Sequence, residues 1–338
     1  MIRNRLLAIL IAVGGTVGGT AAVSTASASA AGLTGAGSTL VNPLMQNWIN
    51  GFEIKEGIPV KYSSVGSGEG IKLISNDSVD FGASDAPMTP EQEAKCSGCV
   101  TIPWALSATG IGFDIPGVKK INLSGKVLAG IYFGKITNWN DPKIKKLNPK
   151  AKLPNLTITP VYRSDGSGDT YAFTNYLSKI SPAWRTEVGY ATTVGWKAGT
   201  GAKGNAGVTS LVTKTPGAIG YISASYLIAA GLGAAAMENK AGNFELPNLK
   251  NIEEAGTSVK LSANNTASIT NPPKKYAKAY PISTFTYAIV PHSAPQKQYL
   301  EQFLNYAITK GQAYGAALDF APLPKVVVTA AKKAISTL

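Results

Sequence analysis

The 338-residue sequence predicts an α/β fold. Two observations carry that reading. Short β-rich apolar runs alternate with segments whose apolar residues recur at helical spacing. Clusters of Gly, Ser, Thr and Asp fall after the strands or at the openings of the helices. The length suits two lobes or one large domain. Hydrophobic residues make up 44% of the chain and charged residues 15%, which excludes an intrinsically disordered protein.

Residues 38–53 carry Leu40, Val41, Leu44, Met45, Trp48, Ile49 and Phe52, the i, i+4, i+8 recurrence of one helical face. Pro43 is tolerable there only in or near the first turn. Strands are predicted at 58–64, 79–84, 105–115, 157–163, 218–222 and 284–290, and a further Val-Thr-Ile strand follows Cys99. Helices are predicted at 71–75, at 168–179 with Phe173, Tyr176 and Leu177 inward, around Val208–Val212, and over Leu300–Ile308. Residues 240–282 are polar and loop-rich and give no clear element.

Met1 to about Ala31 reads as a cleavable secretory signal. Arg3 and Arg5 are its positive end, Leu6–Val13 its apolar run, and Ala-Ser-Ala-Ser-Ala (27–31) suits a signal peptidase. No Cys stands at the cleavage site, so no lipid anchor is expected. No later stretch approaches the ~18 apolar residues of a membrane span. The expected location is therefore the periplasm, the medium or the cell surface. In that setting Cys96 and Cys99 read as a disulfide. The sharper readings are a redox pair or half a zinc site. His292 is the one histidine of the chain, so zinc would lack ligands.

Three clusters bear on chemistry: GAGSTL (35–40), VGSGEG (65–70) and RSDGSGDT (163–170). Each opens a predicted helix and presents backbone N–H groups that suit an anion. Ordinary N-caps and turns would use the same residues. None ends in the Gly-Lys-Ser/Thr of a P-loop, and none is a Rossmann fingerprint.

GAGSTL, VGSGEG, VDFGASDAP (79–87), IYFGKITNWND (131–141), RSDGSGDTYAFTNYL (163–177), GNAGV (204–208) and PGAIGYI (216–222) occur in an order that resembles the PstS family. Its members are the extracytoplasmic phosphate-binding proteins of phosphate ABC transporters. The resemblance runs from about Leu33 to the C-terminus and is weakest at 240–275. It implies a type II periplasmic-binding-protein fold, with two α/β lobes on a two-crossing hinge and the ligand in the cleft. Residues 32–114 plus 280–338 would form lobe 1, and 115–279 lobe 2. It also implies a monomer that delivers inorganic phosphate to a membrane permease and its ATPase.

The family's ligand contacts carry over to Thr39, Leu40, Ser67, Asp85, Arg163, Ser167 and Gly168, with Asp165 holding Arg163. Asp169 stands where some members have Thr, and a second carboxylate beside phosphate implies either that Asp85 and Asp169 together accept protons from dihydrogen phosphate or that one of them is itself protonated. Asp85 would select phosphate, which keeps an O–H near neutral pH, over sulfate, which has none. No cofactor, metal or catalytic residue is expected. An extracellular phosphatase, staked on His292, is the enzyme alternative. Arsenate, with the protonation pattern of phosphate, is the alternative ligand. Nucleic-acid binding would need a basic patch with stacking aromatics and is not expected.

The formal charge of +13 is uneven. Residues 115–279 hold 21 Lys and Arg against 8 Asp and Glu, whereas the rest of the chain after residue 31 holds 9 against 11. Lys119–Lys152 contains nine Lys and one acid, Asp141. It reads as a solvated face or as a field that steers an anion.

Overall fold

The computed structural model describes residues 32–96 and 98–338, so the expected signal segment lies outside the described residues. In chain order the strands are β1 (Leu33–Gly37), β2 (Val60–Ser64), β3 (Phe81–Ser84), β4 (Cys99–Phe113), β5 (Lys120–Leu123), β6 (Thr159–Arg163), β7 (Thr200–Ala202), β8 (Ala218–Ser223), β9 (Gly233–Glu238), β10 (Phe244–Glu245) and β11 (Ser283–Pro291). They make two sheets that share β4. One runs β2-β1-β3-β11-β4 and the other β4-β8-β6-β7, with β9 pairing β4, β5 and β10. β2 and β3 both run parallel to β1. β6 runs parallel to β7 and β8.

β4 is 15 residues long because it serves both sheets. Cys99–Ala108 pairs antiparallel with β11, and Thr109–Phe113 with β8. The chain returns beside the same point, where the Thr109 N–H donates to the Ile282 carbonyl at 3.0 Å. The sequence predicted two strands here, split near Pro103. The structure joins them through a bulge. Opposite Thr286–Tyr287 the register skips Trp104, so the irregularity falls beside Pro103, which has no N–H to give the ladder.

The helix Asn42–Glu56 begins four residues later than its periodicity predicts. Ser38 Oγ accepts from the N–H groups of Leu40 and Val41 at 3.1 and 3.3 Å, which holds 38–41 as a turn. Pro43 then falls in the first turn, where its lack of an N–H is harmless. Leu44, Met45, Trp48, Ile49 and Phe52 are the buried face. They meet sheet one in an aromatic cluster. Trp104 lies 5.3 Å from Trp48 and 5.9 Å from Phe81, ring centre to ring centre. The other sheet is backed by Tyr132, Phe173, Trp184, Trp196 and Tyr221, all within ring-stacking range.

The polar stretch 240–282 contains β10 and the helix Leu249–Gly256, whose Ile252 and Ala255 are buried. Beyond that helix, side chains hold the backbone where periodic apolar residues are absent. Asn239 Nδ2 donates to the carbonyls of Ala277 and Ala279, and Tyr287 Oη both accepts from and donates to the Ala267 backbone. Cys96, at the end of the helix Pro90–Lys95, is disulfide-bonded to Cys99 at the start of β4. No helix among the described residues is long and apolar enough to cross a membrane.

Trp104 is fully buried and its Nε1–H donates to Thr286 Oγ1 at 2.7 Å. Trp104→Ala should cost about 3–5 kcal/mol, as other large-to-small aromatic changes in cores do. Thr286→Val, which only strands the indole N–H, should cost about 1–3 kcal/mol. Urea unfolding of both variants measures the two costs.

Candidate functional site

The three clusters of the sequence meet at the carboxyl ends of parallel strands. GAGSTL ends β1, VGSGEG follows β2, Asp85 follows β3, Arg163 ends β6, and Asn205 opens the helix after β7. Open α/β sheets place ligands at this edge, because helix N-termini and their free N–H groups gather there. Here two such edges, one from each sheet, face each other. The Gly168 N–H donates to Ser67 Oγ at 3.1 Å, and the Gly68 N–H to the Gly166 carbonyl at 3.0 Å. Asn205 donates to Thr39 Oγ1 from its backbone at 3.3 Å and from Nδ2 at 2.9 Å. Gly168 is required by this approach, since a Cβ there would run into the Asp85 carboxylate.

Arg163 is 3% exposed and holds the second edge together. Its Nε and Nη2 donate to the two oxygens of Asp165 at 2.8 and 2.5 Å. Its Nη1 donates to Asp169 Oδ2 at 3.1 Å. Burial works against the guanidinium charge, but Asp165 and Asp169 outweigh it and hold its pKa above the ordinary value. Burial alone would raise Asp165. The paired Arg163 and the Gly204 N–H reverse that and keep its carboxyl low.

The support beneath Arg163 comes from the aromatic cluster. Tyr221 Oη accepts the Arg163 N–H at 2.8 Å and bonds Thr170 Oγ1 at 2.7 Å, tying the strand end to the helix Gly168–Ile180. Ser167 is the N-cap of that helix, accepting from the Thr170 N–H at 3.3 Å.

The two acids sit in different surroundings. Asp169 is fully buried, and its oxygens receive Thr109 Oγ1 at 2.7 Å, Asn205 Nδ2 at 2.7 Å and Arg163. Burial pushes its pKa up, and these donors oppose it. Asp85 receives only hydroxyls, Ser38 Oγ at 2.5 Å and Ser67 Oγ at 3.3 Å. Burial, and next the charge of Asp169, raise it to about 7. Asp85 is thus poised between its acid and its base at neutral pH.

The structure therefore gathers Thr39, Leu40, Ser67, Asp85, Arg163, Asp165, Ser167, Gly168 and Asp169 around one cleft. Three participants were not singled out from the sequence. Ser38 and Asn205 lie within quoted motifs, and Asn205 is marked only by opening a helix in GNAGV. Thr109, in mid-strand, carries no local signal. His292 is elsewhere, since it follows the far end of β11, roughly 25 Å along the strand from Thr284. Thr284 is the residue that donates to the Asp85 carbonyl.

Asp85 makes the ligand-free protein pH-sensitive. Its unfolded carboxyl loses its proton near 3.8 and its folded carboxyl near 7, so between these values the folded state binds more protons. Stability should then fall as pH rises through this window and level off above it. The loss is on the order of 4 kcal/mol. Asp85→Asn should flatten that slope. Denaturant midpoints from pH 4.5 to 7.5 check the expectation, and parallel slopes for the two proteins would refute it.

The chain matches the PBP superfamily domain over residues 21–310. The phosphate-binding protein PstS of Haemophilus influenzae is 36% identical over 310 residues, covering 90% of this chain and 92% of that protein. The PstS of Methanocaldococcus jannaschii is 35% identical over 309 residues, covering 82% and 78%. A high-affinity periplasmic phosphate-binding protein (PfluDING) solved with phosphate superposes with a TM-score of 0.75 at 20% identity, over 90% of this chain and 93% of that one. A phosphate-binding protein from Stenotrophomonas maltophilia gives 0.68 at 20% identity, over 90% and 94%. The likeness in structure fixes the fold, two α/β lobes of the periplasmic-binding type facing across a cleft. With relatives of this identity along nearly its whole length, the chain belongs to the PstS family of the PBP superfamily.

Proposed function

We propose that this protein binds inorganic phosphate between its lobes and hands it to an ABC transporter for import. The observation that carries the reading is the burial of Arg163 and Asp85 in one cleft rich in neutral donors, with Arg163 held by Asp165 and Asp169 and Asp85 by the hydroxyls of Ser38 and Ser67. Residues 32–114 plus 280–338 form one lobe and 115–279 the other, hinged where β4 and its return strand pass between the sheets. The name shared by the PstS relatives supports the ligand. Membrane permease and ATPase subunits are the receiving partners. The protein works as an exported monomer, cut from its signal at 1–31 and carrying no lipid anchor. Its task is binding rather than catalysis.

Thr39, Ser67 and Ser167 offer hydroxyls, Leu40 and Gly168 backbone N–H groups, and Arg163 its guanidinium. Asp165 fixes Arg163. Asp169 spends its lone pairs on Thr109, Arg163 and Asn205, so it positions donors around the ligand and sets the charge that Asp85 feels. Asp85 shares one proton with phosphate. Because burial already holds the Asp85 carboxyl well above the ordinary carboxylate range, it can accept a phosphate O–H or carry the proton itself. Sulfate brings no proton, so an ionised Asp85 would face it unpaired. Arsenate satisfies the same bond and should compete.

Calorimetry with phosphate and sulfate tests the reading. Wild type should take up one phosphate and little sulfate. Asp85→Asn should weaken phosphate by about 10- to 100-fold, the cost of about 1–3 kcal/mol for one buried bond, and narrow the gap to sulfate. Gly168→Ala, which sets a methyl between the lobes, should lower phosphate affinity about tenfold or more while the ligand-free protein stays folded. Absence of phosphate binding by wild type would overturn the reading.

A further inference from the structure

Much of the unpaired positive charge lies away from the cleft. Among the described residues, Arg163 is the one cation of 115–279 that makes an ion pair, so the excess of that lobe is not neutralised within it. On a convex face this would be a diffuse field. Where the surface is concave, neighbouring cations can act on one ligand; a smaller hollow holds Lys126, Lys135 and Lys143, and a larger one gathers more elements. A cavity of about 720 Å³ is lined by Lys126, Lys179, Arg185 and Lys240, with Glu238 as its only acid.

Four elements bring these groups together: the first turn of the helix Gly125–Tyr132, the last turn of the helix Gly168–Ile180, the helix Pro182–Glu187, and the end of β9. Lys179 stands ten residues beyond Asp169 on one helix, so the cavity is about 15 Å from the phosphate cleft. Its Nζ donates to Ser268 Oγ at 3.1 Å and to the Thr270 carbonyl at 2.8 Å, which holds it in place. Burial and the charge of Lys240 both press its pKa down, a sign that positive charge is crowded here.

We infer that this cavity is a second anion site, built for a chain of consecutive phosphoryl groups. A single phosphate is too small to reach four cations spread around such a volume. A linear tri- or polyphosphate spaces its charges along a flexible backbone and can meet all four. Concave walls focus the field and give the contacts a place to act. Each cation already stands without a carboxylate partner, so binding breaks no ion pair. Two kinds of molecule carry this chemistry, inorganic polyphosphate and nucleoside triphosphates.

The probe is inorganic tripolyphosphate, titrated by calorimetry into wild type held in excess inorganic phosphate. One equivalent should bind while the cleft is filled. The double variant Lys179→Ala with Lys240→Ala should weaken that binding at least tenfold and leave the cleft's phosphate affinity unchanged. Lys146→Ala with Lys150→Ala removes the same charge from the exposed basic block and should change it less than threefold. Titration with ATP identifies the source: binding as tight as tripolyphosphate points to nucleotides, and weaker binding to the inorganic polymer. Loss of tripolyphosphate binding when phosphate is in excess would overturn the inference, as would equal weakening by the two double variants.

Discussion

The molecule depends on one buried ion cluster. Arg163 is removed from water and can stay there only because Asp165 and Asp169 share its charge. That requirement fixes the end of β6, the start of the following helix, and through Gly204 and Asn205 the start of the helix after β7. Asp169 in turn reaches Thr109, the residue at which β4 changes sheets. The charge cluster, the hinge strand and the cleft are therefore one connected structure.

A consequence is that the cleft is not simply positive. Three carboxylates surround one guanidinium, and attraction for an anion comes from hydroxyls and aimed N–H groups rather than from net charge. Burial, and next the charge of Asp169, push the Asp85 carboxyl up to about 7, so the charge of the cleft itself changes near neutral pH.

Much of this was legible in the sequence where the signal is local. The helices ending at Glu56 and Ile308 announce themselves by spacing, and the three Gly-rich clusters mark the ends of strands. β1 did not. Leu-Thr-Gly-Ala-Gly has one large apolar residue, yet it is an inner strand, because Gly35 leaves room for the Phe81 ring against its backbone. Asn205 and Thr109 were missed for another reason. Their roles exist only through partners brought from 36 and 60 residues away, to which no periodicity points. The stretch 240–282 was opaque because its one helix is short, and beyond it Asn239 and Tyr287 hold the backbone where periodic apolar residues are absent.

The strand order also governs when the protein can be finished. β11 lies between β3 and β4, and Ala288 pairs with Ala83 across about two hundred residues of chain. Until residues 283–291 are available to pair, β1–β3 form a parallel fragment with an open edge, whereas β5–β10 need nothing from beyond residue 245. The first lobe in sequence is thus the last to fold, and it bears the larger loop-closure cost. An interrupted chain would expose that edge to other strands, so the C-terminal third guards the N-terminal third against association.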